Sequence, residues 1–198
     1  HAGLSQIIID LKCDGAKVRP IKNMAGGEDF NEVVFEDVVV PKDRIVGEAG
    51  NGWAQVTSEL AYERSGPERF LSAFRVFVEL VRFCGPEPTQ YQATVIGRIA
   101  SHIMTLRRMS ISVAGMLESG KDVVVEAALV KELGNNFEKL LPELARVVGS
   151  DGFSDFSRDG DLFRRTFEDT MLLSPSFTLR GGTREILRGV IARGLGLR

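Results

Sequence analysis

Histidine and cysteine are scarce in this chain, and their scarcity excludes several kinds of active site. The 198 residues include two histidines and two cysteines. His1 is terminal, so His102 alone would have to serve a zinc site or a Ser-His-Asp triad, and we expect neither, nor any other metal site. Apolar residues around His102 recur at helical spacing, which indicates an ordinary helix residue. For Cys13 and Cys84, which are far apart, two reduced thiols are favoured over a disulfide.

Long apolar runs and a strong excess of one charge are also missing. No apolar run reaches the roughly 18 residues that a membrane helix needs, and the formal net charge is only −2. We therefore expect neither a membrane nor a nucleic acid as a partner. No signal peptide is visible, although the first residue is not methionine. Together with the reduced thiols this favours a cytoplasmic location.

The first 48 or so residues have the alternation and composition of β-strands. Three strands are predicted, at residues 6–11, 17–21 and 31–40, and Pro41 ends the last of them. Three strands cannot easily bury both faces by themselves. We therefore predict that residues 1–48 are the remnant of a larger β-domain and that residues 49–198 form a second domain.

From about residue 51 the spacing of apolar residues becomes helical. Gly66 and Pro67 should end the first helix near Ser65, and Pro142 should kink or restart a later one. The predicted helices cover about 53–65, 70–81, 91–117, 123–148, 164–172 and 183–193. Four main helices with wide apolar faces predict a mainly α fold, an antiparallel four-helix bundle preceded by a few strands.

Three features of the sequence occur together in one known family. They are residues 30–41 followed by 47–53, the helical pattern after them, and the tail at 179–188 around Gly181-Gly182-Thr183. Their order and separation resemble the acyl-CoA dehydrogenases over essentially the whole chain. The resemblance implies the end of the family's middle β-domain and its C-terminal helical domain, from a flavoenzyme of lipid oxidation. Such enzymes use FAD to oxidise an acyl-CoA between its α and β carbons.

The resemblance also implies where the catalytic base lies. Many family members carry a glutamate at the position of Gly181, and glycine cannot act as a base. A minority place the base on the first helix of the C-terminal domain, directly before an arginine, and here that position is Glu63 before Arg64. Glu63 is therefore the candidate for α-proton abstraction, and Arg64 is expected to orient the surrounding structure at the substrate site. The open alternative is a solvated helix glutamate paired with a nearby arginine.

The remaining candidate site residues also follow from the resemblance. The backbone N–H of Gly181 is expected to polarise the substrate thioester, although the glycine is equally explained by a tight turn. Thr183 and Glu185 occupy positions that usually face FAD, and their alternative role is helix capping. Gly149 and Gly152 lie in a weakened version of a family loop that meets the adenosine end of FAD.

The expected partners are an acyl-CoA substrate and other protein subunits. The chain is expected to assemble as a homo-oligomer, a dimer or tetramer, or as a hetero-oligomer with a related subunit. The alternative to a catalytic subunit is a non-catalytic or partner-dependent one that contributes interface and part of a shared FAD site. By itself this segment is expected to be inactive and to lack FAD.

Overall fold

A computed structural model describes residues 2–150 and 157–197. The chain divides into two compact units, His1–Glu59 and Leu60–Arg198. This division falls inside a helix, α1, which covers Gly52–Ser65. The domain boundary predicted at residues 48 and 49 stays a proposal.

The first unit contains a two-stranded antiparallel sheet. Strand β1 covers Ala16–Ile21 and strand β2 covers Phe30–Phe35. The register pairs the first residue of β1 with the last of β2, Ala16 with Phe35. A short 3-10 turn follows at Lys42–Arg44. Most side chains of the two strands are exposed, so this sheet has little core of its own within the unit.

Two of the three predicted strands differ from the structure. Residues 6–11 form no strand, because the segment makes only an isolated antiparallel bridge, between Ile7 and Ile45. The prediction of a strand there was wrong. The predicted strand at 31–40 ends at Phe35, and two residues later Asp37 has a φ of 51°, outside the extended region.

The second unit is helical, and its elements follow the predicted order. The helices after α1 are α2 (Phe74–Cys84), α3 (Gln90–Glu118), α4 (Val124–Val148), α5 (Arg158–Leu173) and α6 (Arg184–Gly194). Two 3-10 turns, Pro67–Arg69 and Ser174–Thr178, lie before α2 and after α5. A kink or a restart was predicted at Pro142; helix α4 runs through this residue as one helix, so the restart does not occur.

Helices α2 to α5 pack against one another as the predicted antiparallel four-helix bundle, and α6 packs on α4. Short connections make this arrangement possible, since five residues link α2 to α3 and five link α3 to α4. The buried side chains on the facing sides are mostly aliphatic and phenyl groups, each stabilising the fold by about 1.5–3 kcal/mol. They include Val76, Leu80, Ile99, Leu106, Val130, Phe137, Leu141 and Phe163. The fold class predicted from the sequence is confirmed.

Helix α4 lies at the centre of this packing, and several of its buried residues are charged or polar instead of apolar. Lys131, Glu132, Asn135 and Glu138 are all buried on it, whereas the apolar Leu133 is 45% exposed. Buried charges are costly unless they are paired and hydrogen-bonded. These polar side chains and their partners therefore indicate where a functional site lies in this unit.

Candidate functional site

The last turn of α1 and the 3-10 turn after it fix the side chain of Glu63. Gly66 has extended dihedral angles and Pro67 opens the 3-10 turn, so the chain folds back on itself. The guanidinium of Arg69 then donates twice to Glu63: Nη2 to carboxylate Oε1 at 2.5 Å, and Nε to the backbone carbonyl at 2.9 Å. The Arg69 side chain is 10% exposed and that of Glu63 is 39% exposed. A partly open carboxylate is thus held by a nearly buried cation.

The neighbouring residue, Arg64, binds the tail of the chain. Its Nε donates to the carbonyl oxygen of Gly181 at 3.0 Å. Burial lowers the pKa of Arg64, and the nearby Glu63 carboxylate partly opposes this. Gly181 and Gly182 have φ values of 66° and 105°, a left-handed region that other residues seldom adopt. The turn that meets Arg64 therefore depends on its two glycines.

Several charged side chains converge at Gly181. A Cβ atom at Gly181 would lie 3.4 Å from Glu63 Oε1, 3.6 Å from Lys131 Cε and 3.7 Å from Arg69 Nε. These are ordinary contact distances, so the turn, the carboxylate and two cationic side chains share one small volume. The structure thus brings together three of the predicted residues, Glu63, Arg64 and Gly181.

Lys131 is the buried member of this group. Its Nζ donates to Asn135 Oδ1 at 2.5 Å and to the Phe177 carbonyl at 3.1 Å. Burial lowers the pKa of Lys131 to about 8, with Glu138 acting in the opposite direction. A lysine with such a pKa loses part of its charge within the range in which many enzymes work.

Glu138 lies on the same face of α4 as Lys131 and Asn135, one turn further along the helix. Its Oε1 accepts from the backbone N–H of Ser72 at 2.9 Å, and its Oε2 lies 3.7 Å from Arg180 Nη2. Arg180 also donates to the Ser72 hydroxyl and lies over the Phe177 ring, 5.2 Å from its centroid. This network ties the residue before the Gly181 turn to the bundle.

Four charged residues of this cluster were not predicted from the sequence: Arg69, Lys131, Glu138 and Arg180. Charged side chains usually lie in solvent, so these residues by themselves predict exposed positions. One usable signal exists. Lys131, Asn135 and Glu138 recur at i, i+4 and i+7, so they share one face of a helix that is otherwise apolar there.

The predicted cofactor residues at the start of α6 lie next to this turn in the chain. Thr183 is the N-cap of α6, as predicted, but its hydroxyl makes no capping bond to a backbone N–H. The pKa of Glu185 is lowered by a hydrogen bond from its own backbone N–H and by the Thr183 hydroxyl. Farther along α6, Arg188 donates to the buried Glu132 of α4 at 3.0 Å, which anchors the helix.

Gly149, which was predicted to contact FAD, does not lie with the other predicted residues. Gly149 caps α4, 18 residues beyond Lys131, which corresponds to about 27 Å of helix. A Cβ atom at Gly149 would overlap the Phe163 ring, so packing against α5 already requires a glycine there. Gly152 lies outside the described residues.

Taken together, the cluster around Gly181 can accept a proton but has no metal-binding character. Glu63 is a carboxylate acceptor at the surface of a group of cations, Arg64, Arg69 and Lys131. In residues 2–150 and 157–197 no group of histidine, cysteine and carboxylate side chains is arranged to hold a metal ion. No helix in the same part of the chain is both long and apolar enough to cross a membrane.

Comparison with known proteins assigns most of this chain to one family. Residues 50–196 match the family model described as "Acyl-CoA dehydrogenase, C-terminal domain". Among curated proteins, acyl-CoA dehydrogenase IpdE1 of Mycobacterium tuberculosis is 31% identical, over 100% of this chain and 51% of its own length. The chain thus spans about half the length of the curated relatives it matches.

Solved structures support the same fold. The structure described as Tcur3481-Tcur3483 steroid ACAD superimposes with a TM-score of 0.80 at 21% identity, over 98% of this chain and 52% of that one. The ChsE4-ChsE5 complex of Mycobacterium tuberculosis gives a TM-score of 0.76 at 24% identity, over 98% of this chain and 53% of that one. At these identities the likeness concerns the fold.

Proposed function

This chain belongs to the acyl-CoA dehydrogenase family, and from that premise we propose that it is part of an FAD-dependent enzyme that oxidises an acyl-CoA thioester between its α and β carbons. The single observation that carries the proposal is the position of Glu63. Its carboxylate is held by Arg69 beside Gly181, the position at which many family members carry their base. A carboxylate there can receive a proton although the local residue is glycine.

In the proposed reaction, Glu63 takes the α-proton of the substrate. The α C–H bond breaks and its proton moves to the carboxylate, while the electron pair forms the new bond between the α and β carbons. FAD, when bound, supplies the acceptor for the hydride that leaves the β carbon. A general base contributes only when it lies within hydrogen-bonding reach of the proton, so the fixed position of Glu63 matters as much as its chemistry.

Negative charge develops on the thioester oxygen during this proton transfer. We assign the backbone N–H of Gly181 to that oxygen, since a preorganised donor aimed at developing charge lowers the barrier. Arg64 fixes the turn by binding the Gly181 carbonyl, so we assign it an orienting role at the substrate site. The positive charges of Arg69 and Lys131 also favour negative charge on the thioester oxygen.

The residues at the start of α6 fit FAD in their chemistry. The Thr183 hydroxyl hydrogen-bonds the Glu185 carboxylate instead of capping α6, and the remaining acceptor positions of this pair suit polar groups of the cofactor. We propose that these two residues contact FAD. The assignment of Gly149 and Gly152 to FAD has weaker support, because packing against Phe163 already accounts for Gly149.

A second candidate function is that of a subunit that needs a related partner to complete its FAD site. It is favoured by two structural neighbours that consist of paired components, Tcur3481-Tcur3483 and ChsE4-ChsE5. In this case the chain contributes an interface and part of a shared site. A homo-oligomer, dimer or tetramer, is the corresponding arrangement for the first candidate.

Flavin content and turnover of the intact protein distinguish these functions. The protein is expressed alone and together with related chains, and assayed with acyl-CoA thioesters of different length and branching, a steroid-derived acyl-CoA among them. We expect Glu63→Gln to lower turnover by about 10²- to 10⁴-fold with FAD still bound. Glu59→Gln, one turn earlier on α1 and exposed, is the control that keeps normal turnover. Normal turnover in Glu63→Gln would exclude the proposed base.

A further inference from the structure

Arg69 contacts Glu63 at two separate points. One nitrogen of its guanidinium donates to the carboxylate and another to the backbone carbonyl of the same residue. A pair that only neutralised a surface charge would need the first contact alone. The second contact ties the guanidinium to the end of α1, so the direction of the Glu63 side chain is fixed relative to its own helix.

The position of Arg69 is itself fixed by its backbone. The carbonyl oxygen of Arg69 lies so close to Gly134 of α4 that a Cβ atom at Gly134 would overlap it. Phe70, the next residue, is 2% exposed and belongs to the core. The 3-10 turn is therefore pressed against α4, which fixes the backbone from which the Arg69 side chain extends.

Glu63 would have considerable freedom without this contact. A glutamate side chain has three rotatable torsions, and this one is 39% exposed. Its carboxylate has solvent on one side and the Gly181 turn on the other. The ion pair keeps Oε1 at 3.4 Å from the Cβ position of Gly181, where the proposed reaction needs the carboxylate.

We propose that Arg69 is a positioning residue, which holds the Glu63 carboxylate through Oε1 and leaves Oε2 to take the α-proton of the substrate. This inference rests on the proposed role of Glu63 as the base. It also gives a function to the Gly66-Pro67 break and to Gly134, because both are needed to bring the 3-10 turn back to the end of α1.

The test uses the intact FAD-bound protein with an acyl-CoA that it oxidises. Arg69→Met should lower kcat by about ten- to a hundredfold, the usual result of a misplaced catalytic group. KM and FAD content should stay close to normal, because Arg69 contacts the base and not the substrate. Arg69→Lys should recover part of kcat, since an ammonium can still pair with the carboxylate but cannot also reach the carbonyl in the same geometry.

A matched control removes an arginine from an ion pair elsewhere. Arg165 pairs with Asp161 within α5 at 2.8 Å, and Arg165→Met should keep normal kcat. If Arg69→Met has normal kcat, or loses activity only in proportion to lost FAD or lost folded protein, the inference is wrong. If Arg69→Met does not fold, Arg69→Lys decides, since a reduced kcat at normal KM supports positioning and a normal kcat overturns it.

The result for Glu63 separates this inference from the proposed function. Normal turnover in Glu63→Gln would exclude Glu63 as the base, whatever the results for the Arg69 variants. Loss of turnover in Glu63→Gln together with normal turnover in both Arg69 variants would keep the base and remove only the positioning role.

Discussion

The turn at Gly181 and the turn at Gly149 both bring a glycine close to other elements of the helical unit, but their surroundings are opposite. Around Gly181 the nearest atoms belong to charged side chains, Glu63, Lys131 and Arg69. Around Gly149 they belong to the Phe163 ring and a backbone carbonyl. The neighbours of a glycine thus indicate whether it lies in a charged cluster or in a packed apolar region.

The two turns also differ in what a side chain would disturb. At Gly181 a Cβ atom would meet nothing closer than 3.4 Å, but φ is 66°, so the constraint lies in the backbone. At Gly149 φ is −97°, which suits any residue, and the constraint is the aromatic ring. We expect substitutions at the Gly149 end to affect mainly stability and those at the Gly181 end to affect mainly activity.

Lys131 lies at the Gly181 end, but unlike its neighbours it is expected to affect mainly stability, and its effect should be the largest. Lowering its pKa from 10.5 to about 8 corresponds to roughly 3 kcal/mol. The folded state is the one with the lower pKa, so between about pH 8 and 10.5 the unfolded chain holds the proton more tightly. Lys131 therefore adds an increase of stability with rising pH across this window. In Lys131→Met that increase should vanish, as measured by denaturant unfolding at both pH limits.

Comparing the two proteins at each pH isolates this effect, because all other titrating groups are shared. Parallel stability profiles for the natural protein and Lys131→Met would show that the buried lysine keeps its ordinary proton affinity. The electrostatic difference between the two turns would then be smaller than we describe.

Gly149→Ala should have the next largest effect. The added methyl group would overlap the buried Phe163 ring, which is stacked on Phe83 with the ring centroids 5.4 Å apart. Overpacking of this kind costs about 1–3 kcal/mol. Thermal unfolding should show the loss, while kcat of the folded enzyme stays normal. A large fall in kcat at unchanged stability would instead place Gly149 in a binding site.

Gly181→Ala should have the smallest effect on stability and a clear effect on activity. A left-handed backbone costs an alanine about 1–2 kcal/mol, and no steric overlap adds to it. The methyl group would lie 3.4 Å from Glu63 Oε1, in the volume we assign to the reaction. A fall in kcat should therefore accompany a loss of only a few degrees in Tm. Normal turnover would indicate that the turn is structural only.

The long helices of the bundle could be predicted from the sequence because their apolar residues recur at helical spacing. Val95, Ile99 and Leu106 recur at this spacing along α3 and are buried. The strand predicted at residues 6–11 is absent from the structure. Its composition suits a strand, but only Ile7 finds a bridging partner in the unit, and pairing depends on residues that are distant in sequence.

The candidate site could be predicted only in part. Glu63, Arg64 and Gly181 were found through a family resemblance, and the structure places them together. Lys131 and Arg69 could not be predicted because a charged residue in a sequence normally indicates solvent exposure. Their burial depends on partners far along the chain, such as the Phe177 carbonyl, and no local pattern reveals such partners.

Single-turnover flavin reduction tests most directly whether the Glu63 carboxylate at the Gly181 turn removes the α-proton. The intact FAD-bound protein is mixed without oxygen with an acyl-CoA that it oxidises, and the loss of flavin absorbance is followed. We expect Glu63→Gln to bind FAD normally and to bleach its flavin about 10²- to 10⁴-fold more slowly than the natural protein. Bleaching at the natural rate would contradict the account.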